Sequence, residues 1–301
     1  MRFAAYSWIL SVADFEKNQG YMSDFNVLAI DCDDPDAGTR FVTSLHETGF
    51  AILKNHPVEP DEISRMYDAW QQFFAGKAKH DFTAQRGDLH GYYGFKSENA
   101  KDSAHKDLKE FYHVYETAPV PSDVEAVTRN FHARMMEIGR LLLGWLDRNT
   151  PNDVRAGFSQ PLTEMVENST QNLLRVLHYP PVEDDAEPGE MRAAAHEDIN
   201  LITLLVTGSE PGLQARDKQG NWHDVPCQAG YITINAGDML AKASGGYYPS
   251  TTHQVVNPPD SANRSRYSMP LFVHPRPDVT LADGLTAGDY LAQRLKEIGL
   301  T

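Results

Sequence analysis

Hydrophobic and polar positions follow two different rhythms along this chain. In the first half the recurring steps are three and four residues. Ile63, Met66, Tyr67, Trp70, Phe73 and Phe74 fall on one stripe after Pro60, which suits a first helical turn, and Gly76 is a natural stop. The same period returns from about Ser122, with Val124, Val127, Phe131, Met135, Ile138, Leu142 and Trp145 on one face, until Asn149-Thr150-Pro151-Asn152 breaks it. An earlier helix follows the turn at Asp33-Asp34-Pro35-Asp36, carries Phe41, Val42 and Leu45 inward and ends at Gly49. Strands are expected from Asp24 to Ile30, over Phe50–Leu53 and over Glu110–Tyr115. Residues 77–109 are polar and turn-rich around the aromatic cluster Tyr92, Tyr93 and Phe95, a stretch suited to lining a pocket or to covering the core.

From Leu173 the pattern changes to short strands separated by turn signals. Leu173–Tyr179, Asn200–Thr207, Leu213–Arg216, Tyr231–Asn235, Thr252–Val256 and Tyr267–His274 are the expected strands. Gly208, Gly212, Lys218-Gln219-Gly220-Asn221, Gly237-Asp238 and Pro258-Pro259-Asp260 punctuate them. Many short strands at this spacing imply a closed or double-sheet β architecture, a jelly roll. Thr286-Ala287-Gly288-Asp289 then caps a final helix carrying Leu291, Leu295 and Ile298.

Composition narrows the function classes. The chain has 301 residues, of which 41% are hydrophobic and 23% charged, ordinary values for a globular enzyme. Its formal charge of −15 repels phosphate backbones and anionic lipid, so nucleic acid and membrane are not expected partners. A small-molecule anion would need a local basic spot. The two cysteines, Cys32 and Cys227, form no disulfide framework and fit a cytoplasmic protein. Nothing indicates an obligate protein partner. The apolar run Phe3–Leu10 is too short to span a bilayer and lacks a convincing cleavage site; Met22 is the alternative start, which makes residues 1–21 an extension.

The chemistry is concentrated between His196 and Ser268. In a strand, residues two apart share a face, so His196 and Asp198 can converge on one ion while Glu197 points away. The apolar run Ile199–Val206, broken by Asn200 and Thr203, is expected to carry that strand into a buried sheet. His253 opens a second apolar strand. Two imidazoles and one carboxylate on one side of an ion leave the opposite positions open, an arrangement that suits Fe(II) with a co-substrate and O₂. Arg266 and Ser268 share one strand face, and a guanidinium can hold a carboxylate through two hydrogen bonds of roughly 1.5–3 kcal/mol each. A lone His-x-Asp arises often by chance, and a lone Arg266 would more simply be a surface ion pair; the set together carries the weight. His178 points away from Tyr179 by parity, Lys242 and Tyr247 suit substrate contact or structure equally, and the loop around Arg264 favours solvent.

Residues 175–275 resemble the 2-oxoglutarate and Fe(II)-dependent dioxygenases of the isopenicillin N synthase-like group. The matching pieces are Tyr179-Pro180-Pro181, the run from His196 to Leu205, Gly212-Leu213-Gln214, Gly220-Asn221-Trp222, Ile234 to Asp238, Ser250 to His253, and Arg266-Tyr267-Ser268. Gly49-Phe50-Ala51-Ile52 through Asn55-His56, and Lys109-Glu110-Phe111, are similar to that group's N-terminal region. The resemblance implies a mixed α and β fold: a double-stranded β-helix core over 165–280, a mixed N-terminal region over 22–150 and a C-terminal helix over 281–301. It also implies His196, Asp198 and His253 as iron ligands, with Arg266 and Ser268 on the distal carboxylate of 2-oxoglutarate and Tyr179 as a third contact. The implied reaction hydroxylates or desaturates a small molecule and releases succinate and CO₂, the pocket walls coming from Leu89–Phe95 and the N-terminal half. Gln254 departs from the group, which often has Arg after the second histidine. The His196–Thr203 run is closer to the synthase itself, whose Arg-x-Ser pair takes a substrate carboxylate. An iron oxidase that needs no 2-oxoglutarate is therefore the alternative, and a metal-free jelly-roll binding module is a third reading.

Overall fold

The strand pattern folds into two sheets in the computed structural model, which describes residues 25–85, 87–98, 105–183 and 189–297. The extension 1–21, Met22, Asp24 and Ile298 lie outside the described residues. The N-terminal half runs β1 (Ala29–Asp31), α1 (Ala37–Thr48), β2 (Phe50–Lys54), α2 (Pro60–Ala75), β3 (Gly91–Tyr93), β4 (Glu110–Tyr115) and α3 (Ser122–Asn149), then the single turns α4 (Asn152–Arg155) and α5 (Leu162–Met165). The strand-rich half runs β5 (Leu173–Tyr179), β6 (Ala193–His196), β7 (Ile202–Val206), β8 (Leu213–Arg216), β9 (Trp222–Asp224) and β10 (Ile232–Ala236). After α6 (Asp238–Ala243) come β11 (His253–Val255), β12 (Arg266–Val273), β13 (Thr280–Ala282), β14 (Leu285–Thr286) and α7 (Ala287–Glu297).

The larger sheet has the order β1-β2-β10-β7-β12-β5-β4-β3 and the smaller one β6-β11-β8-β9. Strands β5 to β12 thus shuttle between two four-stranded layers, which is the expected jelly roll. The N-terminal half extends the larger layer at both edges, through β2 on β10 and β4 on β5. The outer face of that layer is covered by α1–α3, where Phe41, Trp70, Phe131 and Leu142 share one buried cluster with Val176, Leu204, Ile234 and Leu271. The inner faces of the two layers meet through Leu177 and Tyr179 against Ala193 and Val255, and through Phe50 against Ala215. Gly49 turns α1 into β2 at φ 74, with the Thr251 hydroxyl 2.2 Å from where a Cβ would sit, so both backbone and space exclude a side chain.

Parity along β12 sorts its side chains. Met269, Leu271 and Val273 belong to the helix-side cluster. Arg266, Ser268 and Phe272 consequently face the smaller layer, where the chemistry lies.

One expected strand is divided. The chain does not run extended from His196 into Val206: β6 ends at His196, residues 197–201 turn, and β7 begins in the opposite layer at Ile202. Asn200, fully buried, holds this turn by donating to the Ile202 carbonyl at 2.7 Å. Gly237-Asp238 is more than a turn, since it opens α6, whose Met239, Leu240 and Ala243 are buried. The cap expected at Thr286 is present: its hydroxyl accepts from the Asp289 amide at 3.1 Å and donates to the Asp289 carboxylate at 2.7 Å.

Candidate active site

His196 and His253 face each other directly across the β6–β11 pair, with ring centroids 4.4 Å apart. Asp198 reaches them from the turn after β6, its Oδ1 3.9 Å from His196 Nε2 and 3.7 Å from His253 Nε2. Among the described residues this is the one group of three His, Cys, Asp or Glu side chains placed to hold a metal ion. The surrounding bonds decide which atoms are free. His196 Nδ1 lies 2.8 Å from the Ala194 carbonyl and His253 Nδ1 3.0 Å from the Thr251 carbonyl. A carbonyl only accepts, so each Nδ1 carries the proton and each Nε2 keeps its lone pair. Asp198 Oδ2 accepts from Thr203 Oγ1 at 2.5 Å and Asn235 Nδ2 at 2.7 Å, leaving Oδ1 to face the imidazoles. One nitrogen from each ring and one oxygen therefore converge without competing partners, which fits a facial divalent site.

Electrostatics agree with that donor set. Burial, then the neighbouring His253, push His196 down to about 4, so its ring is neutral at physiological pH. Burial alone would raise the Asp198 carboxyl, but the two imidazoles and the bonds from Asn235 and Thr203 hold it below its ordinary value. Glu197 is directed elsewhere by the turn, where it accepts from the Thr252 hydroxyl. The turn itself is clamped by α6. The Asp238 amide donates to the Asp198 carbonyl at 2.7 Å, and a Cβ on Gly237 would lie 2.3 Å from the Asn200 carbonyl oxygen, so only glycine fits there.

The basic spot lies on the adjoining strands of the larger layer. Arg266 of β12 pairs with Tyr179 of β5, and Ser268 with Leu177. All three expected anchor residues are buried: Arg266 is 2%, Ser268 3% and Tyr179 4% exposed. Arg266 Nε donates to the Glu210 carbonyl at 3.0 Å and the guanidinium sits 5.2 Å from the centre of the Tyr179 ring. Its Nη1 is buried with no hydrogen-bond partner. Such a group is costly to leave unmatched, so the strand presents a donor to whatever enters.

A cavity of about 330 Å³ opens on His196 and Asp198. One wall is ionic, and no periodicity or motif along the chain announces it. Glu98 binds Arg175 through two contacts of 3.1 and 2.9 Å and Lys109 at 3.0 Å, while Lys109 also reaches Asp107 at 2.7 Å. Arg175 Nε donates to His113 Nε2 at 2.7 Å, and burial followed by the Arg175 charge pushes His113 down to about 3. The apolar part of the lining comes from Leu173, Phe272 and, from α7, Leu291 and Leu295, with Arg294 of α7 between them. Of the expected wall Leu89–Phe95, Leu89 lines the cavity, whereas Tyr93 stacks behind it on Phe111 with centroids 4.7 Å apart. Other polar candidates are structural: Lys242 lies over the Tyr290 ring, Tyr247 stacks on His46, His178 bonds Glu110, and Arg264 pairs with Glu210 at the surface. A larger groove of about 750 Å³ between α2 and the start of α3 contains none of the site residues.

Residues 170–275 match the family model of the 2OG-Fe(II) oxygenase superfamily, and residues 22–134 match the model described as non-haem dioxygenase in morphine synthesis N-terminal. A candidate oxygenase of known structure from Shewanella oneidensis is 45% identical, with a TM-score of 0.81 over 92% of this chain and 100% of that one. The chain belongs to the 2OG-Fe(II) oxygenase superfamily. This oxygenase is also similar to a full-length Neurospora crassa protein solved in complex with alpha-KG: 25% identity and a TM-score of 0.78 over 92% of this chain and 98% of that one. A 2-oxoglutarate-Fe(II) type oxidoreductase of Aspergillus fumigatus is 28% identical over 258 residues, 76% of this chain and 74% of that one. It is a non-haem iron, 2-oxoglutarate-dependent dioxygenase, with Fe(II), 2-oxoglutarate and O₂ as its cofactor and co-substrates. The synthase-type oxidase without 2-oxoglutarate is not favoured. No helix among the described residues is long and apolar enough to cross a membrane.

Proposed function

We propose that His196, Asp198 and His253 hold the iron, that Arg266 and Ser268, with Tyr179 beside them, take the distal carboxylate of 2-oxoglutarate, and that a small molecule in the adjoining cavity is hydroxylated or desaturated with release of succinate and CO₂. The observation that carries this reading is the set of three free donor atoms, each left free because its neighbour atom is already bonded. Iron, when bound, supplies the redox chemistry that couples O₂ and co-substrate oxidation to the substrate. The protein's part is orientation and exclusion of water. The Ala194 and Thr251 carbonyls fix the ring faces, and the Thr203–Asn235 pair fixes the carboxylate. The ionic wall balances Glu98 and Asp107 against Lys109 and Arg175, so it presents polar contacts without net charge to the substrate. Within this reading residues 22–150 support and wall the site, 165–280 carry it and 281–301 close it. The two free cysteines and the acidic surface are consistent with a cytoplasmic enzyme acting without nucleic acid or an obligate protein partner.

Succinate release measured with Fe(II), 2-oxoglutarate and a reductant tests the assignment. His253→Ala should abolish it, and Arg266→Ala should raise the 2-oxoglutarate requirement steeply. Normal turnover of Arg266→Ala at subsaturating 2-oxoglutarate would remove the anchor assignment, and turnover without 2-oxoglutarate would return the oxidase reading.

A further inference from the structure

Arg192 is among the largest fully buried side chains of the molecule, at 1% exposure, and it has no carboxylate partner among the described residues. Its backbone amide donates to Asn257 Oδ1 at 3.0 Å and its Nη2 to the Arg264 carbonyl at 2.5 Å, which sets the guanidinium at the start of β12, two residues before Arg266. Its Nε is buried without a hydrogen-bond partner, as is Nη1 of Arg266. Glu210, whose charge acts on Arg192, is engaged by Arg264 at 2.7 Å at the surface. Burial, followed by the charge of Arg266, lowers Arg192 to about 10, and Tyr179 lies close enough to act on it in the opposite direction. Ala193, the next residue, packs with Leu177 and Tyr179, so this segment borders the same space as the anchor strands. Two buried guanidinium groups whose charges act on each other, each with one N–H that lacks a hydrogen-bond partner and neither with a carboxylate partner among the described residues, favour an anion between them.

We propose that Arg192 is a second cationic residue of the co-substrate pocket and meets the distal carboxylate of a 2-oxo dicarboxylic acid together with Arg266. This rests on the assignment of Arg266 above. It makes the pocket selective for a 2-oxo acid with a second carboxylate over one without, because only the former matches the two charges. A structural role confined to holding the Arg264 carbonyl would need a donor at this position but no charge.

The test is calorimetric titration of the full chain loaded with Mn(II), which removes turnover from the measurement, using 2-oxoglutarate and 2-oxobutyrate as probes. Arg192→Met should weaken 2-oxoglutarate binding by at least about tenfold, Arg192→Lys should restore most of it, and Arg192→Gln should not. Binding of 2-oxobutyrate, which lacks the distal carboxylate, should be unchanged in all three. Wild-type affinity for 2-oxoglutarate in Arg192→Met, or full recovery in Arg192→Gln, overturns the proposal while leaving the Arg266 anchor in place. Unchanged 2-oxoglutarate binding in Arg266→Met instead overturns the anchor assignment, and this inference with it. Should Arg192→Met fail to fold, the Lys and Gln variants decide between charge and simple donation in the same way.

Discussion

Asp198 Oδ1 faces the two imidazoles because Oδ2 is held by Thr203 and Asn235, so in the proposed metal site part of the affinity would reside in side chains that do not reach the ion. Thr203→Val keeps the shape and removes one of those bonds. The expected result is a roughly 10–100-fold loss of metal affinity with a cooperative melt retained, read by competing Fe(II) or Co(II) against a chelator of known strength. His196, Asp198, His253 and Arg266 were legible in the sequence because donor type and strand parity are local properties. Thr203 was legible only as a polar break in an apolar run and Asn235 only as the end of a strand, since the bonds that give them a role cross from one strand to another. Glu110 was legible as a strand residue and as part of a family-like tripeptide but not as a hub, yet it collects Lys79, Tyr92 and His178 around one carboxylate. Burial alone would raise that carboxyl; the bonds from His178, Lys79 and Tyr92 outweigh it and bring it down to about 2 from 4.5. A depressed carboxylate stabilises the fold above its ordinary pKa and loses that contribution as pH falls through the folded value. Glu110→Gln should therefore cost about 2–3 kcal/mol near neutrality, and the gap between variant and wild type in urea melts should narrow as pH is lowered from 4.5 toward 2.

The elements show where strand logic succeeds and where it gives the right answer by the wrong route. Strands β5, β8 and β4 lie where alternation placed them, and helices α2 and α3 follow their stripes. The convergence of His196 and Asp198 was expected from a continuous strand, but a turn held by Asn200 and clamped by α6 brings it about. Strand β6 could not be read beforehand because Ala193-Ala194-Ala195 carries no alternation, and β9 is too short to show any. The C-terminal helix was legible as an amphipathic element but not as a cavity wall. It is pinned to α6 by Tyr290, whose hydroxyl donates to Asp238 at 2.6 Å, and that contact aims Leu291 and Leu295 into the cavity. Truncating Leu295 to Ala should raise the substrate KM by about tenfold and leave 2-oxoglutarate binding at its wild-type value. Equal losses for both ligands would mean that α7 supports the whole site rather than one wall.

At the scale of the whole molecule, the site is separated from what keeps the chain folded. The main buried cluster joins the helices to the outer face of the larger sheet, whereas His196, Asp198 and His253, the proposed metal ligands, lie on the side of the smaller layer. Those side chains stand on the smaller layer and its adjoining turn, while Arg266 and Ser268 stand on the inner face of the larger one, so a ligand can bridge the layers without being needed to assemble them. Asp198 is bonded on its outer oxygen by Thr203 and Asn235, which limits the repulsion that metal removal leaves behind. Chelator-treated protein should therefore keep its far-UV circular dichroism and a cooperative melt, and adding Fe(II) should restore activity. Binding to the native state at a hundred times the dissociation constant contributes about 2.7 kcal/mol, which for a chain of this size corresponds to a rise in Tm of roughly 5 °C. Calorimetry across a metal titration, then across a 2-oxoglutarate titration of the metal-loaded protein, separates the two contributions. A metal-free protein without a cooperative transition would show that the ion holds the two layers together, and the division between scaffold and site drawn from the buried clusters would then be wrong.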